Sequence, residues 1–455
     1  MNNKFFRYYY WLILEFFKKH GRLMVVSFFI SFIGIIGFLS VSPFIKTALT
    51  PEEIVGLIGN YTVENPPEEI VNKISNGLVT VTDKGEIIPV IANSWEIKES
   101  GREYRFHLKD NLVWSNNKKF SASDISYQFK DVEVIPVDDK TVDFSIKTAL
   151  AIFPTYLNRP LIKYPMLGVA GFYKTGKIKT QYGYLKEVYL IPNTKNLTPI
   201  RYKFYNNESQ LVNAYKKGEV NKITLTKKSV ADTFLTWKNS TVEKAVDHSR
   251  LLTLFFNSEN PNLTNKNVKD AIALAFDYQE LSEFGEIARG PIQPTSWAYN
   301  PNLKNPNYDA TNAEKIIKNE ISASQSATLN FITSYDYYDV AEQLSDGLEF
   351  VGLANELNYS SFGGSTPFDL FLAYWNVPKD PDQYYFWHST QSVKNGGGNI
   401  GGYKNVRIDS LLEQGRGTIN LEDREKAYFD FQKNIQDDPP AVFLYYPYVY
   451  TIKRK

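Results

Sequence analysis

The chain has no cysteine in its 455 residues. A disulfide framework, a thiolate-ligated metal, a cysteine nucleophile and a lipid-modified N-terminal cysteine are therefore excluded. Histidine is almost as scarce: His20, His107, His248 and His388 lie far apart, and no H-E-x-x-H, G-x-S-x-G or Walker loop accompanies them. Metal sites and nucleophilic triads thus lack their usual residues, and no cofactor is expected. Basic blocks are missing too. Residues 1–50 hold six Lys or Arg against one Glu, which leaves 45 basic and 49 acidic residues beyond them. A mildly acidic body without a basic stripe has nothing to neutralise a run of phosphates, so nucleic acid is not an expected partner.

Aromatic side chains are present in excess, 31 Tyr and 30 Phe, enough for a sizeable core. Near the N-terminus, residues 23–45 (LMVVSFFISFIGIIGFLSVSPFI) run for 23 positions without a charge. At 1.5 Å per residue such a helix crosses a hydrocarbon core of roughly 30 Å. Lys4, Arg7, Lys18, Lys19 and Arg22 precede it and only Lys46 follows closely. That bias keeps residues 1–22 in the cytoplasm and places everything after residue 46 outside. Pro43 would occupy the first position after cleavage at Ser42, so an uncleaved single-pass anchor in the cell membrane is expected. The aromatic and basic stretch Tyr8 to Phe17 is expected to lie in the headgroup layer as an interfacial helix.

The exported body alternates strand and helix signals. Leu78 to Val81, Ile87 to Ile91 and Glu103 to Leu108 read as short strands, the first two joined by the turn Asp83-Lys84-Gly85. Ser121 with Asp124 forms a capping-box pattern that predicts a helix through Lys130. Further helices are predicted at Asn267 to Leu281, Ala310 to Asn319, Leu421 to Gln436, and Tyr338 to Val351. In the last, Val340, Leu344, Leu348 and Val351 recur on one face. Strands Thr328 to Ile332 and Asp369 to Trp375 bracket it, a β-α-β order that predicts an α/β fold with a mostly parallel sheet.

The run Asn395 to Gly402 contains G-x-G-x-x-G by letter, but no strand precedes it and no helix opens in it. It reads as a surface or ligand-rim loop rather than a dinucleotide fingerprint. Asp380 and Asp382 flank Pro381 as a turn would, and no catalysis is assigned to them. Tyr374, Trp375, Tyr384, Tyr385, Phe386 and Trp387 cluster after a predicted buried strand, at the strand end where open α/β sheets bind ligands.

Two stretches carry a resemblance. Ile74 to Phe129 orders a G-L strand, a D-x-G turn, I-P-x-I-A-x-S-W, a strand ending F-H-L, then V-W-S and S-A-S-D. Leu254 to Ile316 adds Phe256-Asn257, VKDAIALAFDYQEL, Gly290-Pro291 and Asp309 with Ala313. In the tail, Asp380-Pro381-Asp382, Asn399, Tyr403-Lys404-Asn405, Asp409 and Arg424 fall in the same order. Together they resemble the family 5 extracellular solute-binding proteins, receptors of ABC importers for oligopeptides, dipeptides and nickel.

The resemblance implies a bilobal, periplasmic-binding-protein-like (type II) fold that closes over a ligand without catalysis. Lobe I is expected to combine residues 46–250 with 442–455, lobe II to span 251–441, and the chain to cross between them near Leu252 to Asn257 and Ala441 to Tyr446. The implied contacts are Tyr374 and Trp375 as cleft walls and Asp380 in the turn. Asn399 and the glycine loop would be donors, Tyr445 and Tyr446 hinge residues, and Glu64 and Asn65 the lobe I rim. The implied partners are a peptide or other small solute and ABC permease subunits. An oligosaccharide is the alternative ligand, and a non-transporting envelope scaffold or sensor the alternative function. One departure stands out: the position at which peptide receptors of this family carry an Asp for the ligand's α-amino group is Val377 here.

Overall fold

The computed structural model describes residues 3–49, 52–82, 84–321, 328–360 and 367–455. Asp83 of the expected turn lies outside them. The N-terminal helix runs unbroken over Asn3–Leu49, about 70 Å at 1.5 Å per residue. Every residue from Arg22 to Gly37 is exposed, so no described part of the body covers the apolar run from Leu23 to Gly37. The helix also continues through His20 and Gly21, where an interfacial segment lying in the membrane plane would have to turn away from the span. The expected separate interfacial helix is therefore corrected to one continuous rod.

Twelve strands make the main sheet. In chain order they are β1 (Glu53–Ile58), β2 (Tyr173–Gln181), β3 (Tyr184–Pro192), β4 (Ile200–Tyr205), β5 (Lys222–Leu225) and β6 (Ser240–Val246). The other six are β7 (Arg250–Phe256), β8 (Gly285–Ile287), β9 (Leu329–Thr333), β10 (Asn355–Tyr359), β11 (Leu370–Asn376) and β12 (Ala441–Arg454). Neighbours run β2-β3-β4-β1-β5-β12-β7-β11-β9-β10, with β6 and β8 also paired to β12. β1 lies parallel to β4 and β5, and β9 parallel to β10 and β11.

β12 joins the two halves of this sheet. Its last residues, Tyr448 to Arg454, pair with β6 and β5, whereas Ala441 to Pro447 pair with β7 and β8. Partners change at Pro447, which has no N–H to give either ladder and whose carbonyl accepts from Asp247 N at 2.9 Å. The opposing segment changes halves across Asp247 to Ser249, between β6 and β7. Leu252 to Phe255 and the buried run Ala441 to Tyr446 both pair within the second half.

A separate four-stranded antiparallel sheet, Ala92–Lys98, Glu103–Leu108, Thr141–Ile146 and Val132–Pro136, buries Tyr104, Phe106, Phe144 and Phe153. The Ser121 capping box forms, but it opens only a single turn, Ala122–Asp124. The predicted helix to Lys130 is overridden by Tyr127. Its hydroxyl donates to Leu157 O and Arg159 O at 3.1 and 2.8 Å and holds the chain extended. The helix predicted at Asn267 to Leu281 is two, Lys266–Leu274 and Tyr278–Leu281, because Asp277 caps the second through Gln279 N. Helix Tyr338–Phe350 buries Val340, Leu344 and Leu348 as its spacing predicts.

Candidate functional site

The second half of the sheet builds the site. β9 and β11 run parallel, so their carboxyl ends stand side by side, and β11 is buried at Leu370 to Leu372 but only partly from Ala373 to Trp375. A cavity of about 350 Å³ opens there. Ser334 and Tyr337 follow β9, Ser360 follows β10, and Tyr374 and Trp375 end β11; Phe255, Phe386, Gly398 and Ile400 close the remaining walls. Among the described residues no carboxylate, ammonium, guanidinium or imidazole lines it.

The aromatic walls are held from behind. Trp375 Nε1 donates to Thr253 Oγ1 at 3.1 Å, and the indole lies 4.6 Å from Phe386 and edge-on to Trp387 at 5.8 Å. Tyr374 sits between Tyr337 at 5.2 Å and Tyr445 at 6.3 Å, and the Arg250 guanidinium covers its face at 4.5 Å. Burial pushes the Tyr374 phenol up to about 12, so it stays a neutral hydroxyl at physiological pH. Gly398 admits the Tyr385 ring to within 2.5 Å of where a Cβ would stand, so a side chain there would displace the loop from the cavity wall.

The other expected residues fall elsewhere. Asp380 is not a free ligand contact: Arg424 Nη2 donates to both of its oxygens at 3.1 and 3.2 Å, and the side chains keep only 13% and 6% exposure. Burial pushes this carboxyl above its ordinary range against the pull of Arg424. Asn399 is engaged within its own loop. Its amide donates to His388 O and Tyr403 O at 3.2 and 2.8 Å and accepts from Tyr403 N at 2.9 Å, leaving no donor for a solute. Tyr445 and Tyr446 are buried in the cores on either side of β12, and Tyr445 backs Tyr374. Glu64 and Asn65 are exposed in the segment after β1 and do not line the cavity. Val377 is buried, with its N–H donating to Ser249 O at 2.8 Å.

Sequence reasoning missed the junction beside this cavity. The Tyr156 hydroxyl donates to Asp382 Oδ2 at 2.6 Å and accepts from Arg416 Nη2 at 2.7 Å, while Arg416 Nε reaches the same Asp382 oxygen at 3.0 Å. Tyr156 belongs to the layer of the four-stranded sheet, whereas Asp382 and Arg416 belong to the second half of the main sheet. Nearby, the Trp297 indole lies over Gly85, where a Cβ would stand 2.2 Å from Nε1 and φ is +76°. Only glycine allows both that backbone and that approach. No local pattern around Tyr156 or Arg416 announces these partners, which come together only through long-range packing.

The sequence profile of the bacterial extracellular solute-binding proteins, family 5 Middle, matches residues 86–397. The chain belongs to this family. Among curated family 5 relatives, a probable D,D-dipeptide-binding periplasmic protein of Escherichia coli K12 is 22% identical over 422 residues, covering 80% of each chain. Two solved structures show the same α/β, periplasmic-binding-protein-like fold. One is NikZ of Campylobacter jejuni in complex with Ni(L-His), with a TM-score of 0.72 and 20% identity over 89% of this chain and 94% of that one. The other is the oligopeptide-binding protein of Bacillus subtilis in complex with a nonapeptide, with a TM-score of 0.71 and 18% identity over 89% and 95%.

Proposed function

We propose that this family 5 protein is a receptor tethered by its N-terminal helix, which captures an oligopeptide outside the cytoplasmic membrane and presents it to the permease of an ABC importer. The observation that carries the reading is the uncharged aromatic cavity at the carboxyl ends of β9, β10 and β11. An apolar run exposed from Leu23 to Gly37, behind Lys18, Lys19 and Arg22, supports the tether. Peptide ligands of relatives support the choice of solute.

In this reading two lobes exchange strands at Asp247 to Ser249 and at Pro447, and the working event is closure of one over the other. Exchange of hydration for aromatic contact supplies the affinity, and no bond is made or broken. A solute that binds only the folded state raises the melting temperature. The test is thermal melting of the full chain in detergent against peptides, oligosaccharides and metal ions. Peptides are expected to raise the midpoint by several degrees. A rise with oligosaccharides alone replaces the ligand, and no rise with any class leaves an envelope scaffold or sensor as the function.

A further inference from the structure

The first half of the sheet gathers lysines at the end where the N-terminal helix leads into β1. Across that end Ile200 of β4 pairs with Glu53 of β1, Lys222 of β5 with Val55, Lys453 of β12 with Lys222, and Thr241 of β6 with Lys453. The segments that cap this row, 193–199, 216–221 and 233–239, hold Lys195, Lys216, Lys217 and Lys238 against one acid, Glu219. All four lysines are exposed, and among the described residues none forms an ion pair, whereas Glu52 and Glu53 already hold Arg201 and Lys222 at 2.6 Å. The body as a whole is not basic: beyond residue 50, acidic residues outnumber basic ones by 49 to 45. Hydrogen bonds fix the lysines to the sheet. Arg454 Nη2 donates to Lys216 O at 3.3 Å and holds the last turn of helix Glu208–Lys217 against β12, and Lys455 N donates to Asn239 O at 3.0 Å, beside Lys238. At the same end Phe172, 66% exposed, accepts from Asn193 N at 2.9 Å through its carbonyl and lines an open groove with Leu197 and Lys73.

We propose that this end of the sheet is a docking face for anionic lipid headgroups, on which the body rests beside its own tether with Phe172 in the interface. The proposal rests on the tether reading above. The helix ends at Leu49 and β1 begins at Glu53. Four residue steps separate them, at most about 14 Å of extended chain. Between Ile45, the last residue of the apolar run, and Leu49 the helix rises about 6 Å more. The row therefore stands within about 20 Å of the hydrocarbon edge, and the headgroup layer fills roughly 5–8 Å of that gap. Strands lie about 4.8 Å apart, so β4, β1, β5, β12 and β6 bring the four lysines into a patch about 20 Å across. A merely solvated surface intersperses charges of both signs. Clustered unpaired lysines are drawn instead to a negative lipid surface, over a range of about 10 Å at 0.1 M salt. The short connection to the tether keeps the patch close to that range, so docking needs no separate encounter.

Because the chain has no cysteine, a dye on one introduced cysteine reports on one place. The test uses full-length Asn196→Cys and Tyr184→Cys, labelled and reconstituted into vesicles of phosphatidylcholine, alone or mixed with phosphatidylglycerol, that carry a headgroup quencher. Tyr184 is the control: Leu190 pairs with Ile200 at the row, and Tyr184 lies six residues back along β3, about 20 Å away. Quenching at position 196 is expected to be about twofold stronger in the anionic vesicles and to fall to the neutral value in about 1 M salt. Position 184 should show no such difference. Lys195→Gln, Lys216→Gln, Lys217→Gln and Lys238→Gln together abolish the difference at position 196, and the four Lys→Arg changes retain it. Equal quenching in the two vesicles, or a difference that survives the glutamines, overturns the docking face and leaves the tether. Flotation with neutral vesicles in high salt tests the tether separately. A chain that floats only with anionic vesicles overturns the tether and keeps the face, and one that floats with neither overturns both.

Discussion

Tyr374 and Trp375 surround an uncharged cavity whose contact surface is open to a solute, whereas Asp380 and Asp382, a few residues along, belong to a junction in which each carboxylate already has its guanidinium. One short segment thus contains both the proposed binding surface and a junction whose charges are already paired. The contrast shows how to tell them apart. A site meant for a ligand keeps contact capacity unfilled, while a lock fills its own.

Mutations on the two sides should separate cleanly. The largest effect is expected for Arg424→Ala, which leaves the largely buried Asp380 carboxylate without its cation and costs about 3–5 kcal/mol of stability in denaturant unfolding. Burial already holds this carboxyl above its unfolded value, and loss of the cation raises it further. A raised acid contributes stability below the unfolded value and loses it as pH rises through the folded one. The deficit of the variant should therefore shrink between neutral pH and the ordinary carboxylate range near pH 4. A deficit that is the same at both would show Asp380 to be insensitive to its partner. Trp375→Ala is expected to act on the other side, weakening solute affinity by about 1–3 kcal/mol in calorimetry. Unchanged affinity would remove Trp375 from the site and break the contrast.

How far the sequence could be read follows the same divide. Tyr374 and Trp375 were legible because a buried β-strand ending in aromatic residues is a local signal. So was helix Tyr338–Phe350, whose buried face repeats every three to four residues. β10 was not foreseen: as an edge strand of polar Asn355, Glu356 and Asn358 it lacks an apolar pattern. Asn399 and Asp380 looked like ligand groups because their chemistry is visible in one dimension, but their partners, the backbone of Tyr403 and the Arg424 side chain, are not. The cavity residues Ser334, Tyr337 and Ser360 carry no motif at all and meet only because β9, β10 and β11 are parallel.

The smallest effect, and the most direct probe of the lock, is expected for Tyr156→Phe. This change removes one hydroxyl from between the two bodies while Asp382 keeps Arg416 at 3.0 Å, so no charge is left unpaired. The stability loss should therefore stay near the low end of the roughly 1.5–3 kcal/mol that a hydrogen bond to charged groups contributes. Its consequence should be geometric. With the bridge removed, the unliganded variant should sample separated lobes more often and show a larger radius of gyration in solution scattering than the unliganded wild type, with the two converging once solute is bound. Burial raises the Tyr156 phenol above its ordinary value, so the hydroxyl stays protonated through neutral pH and the difference should be the same at pH 6 and pH 9. Equal radii for the unliganded proteins would mean that the Tyr156 hydroxyl does not hold the lobes together, and that closure depends on the solute alone.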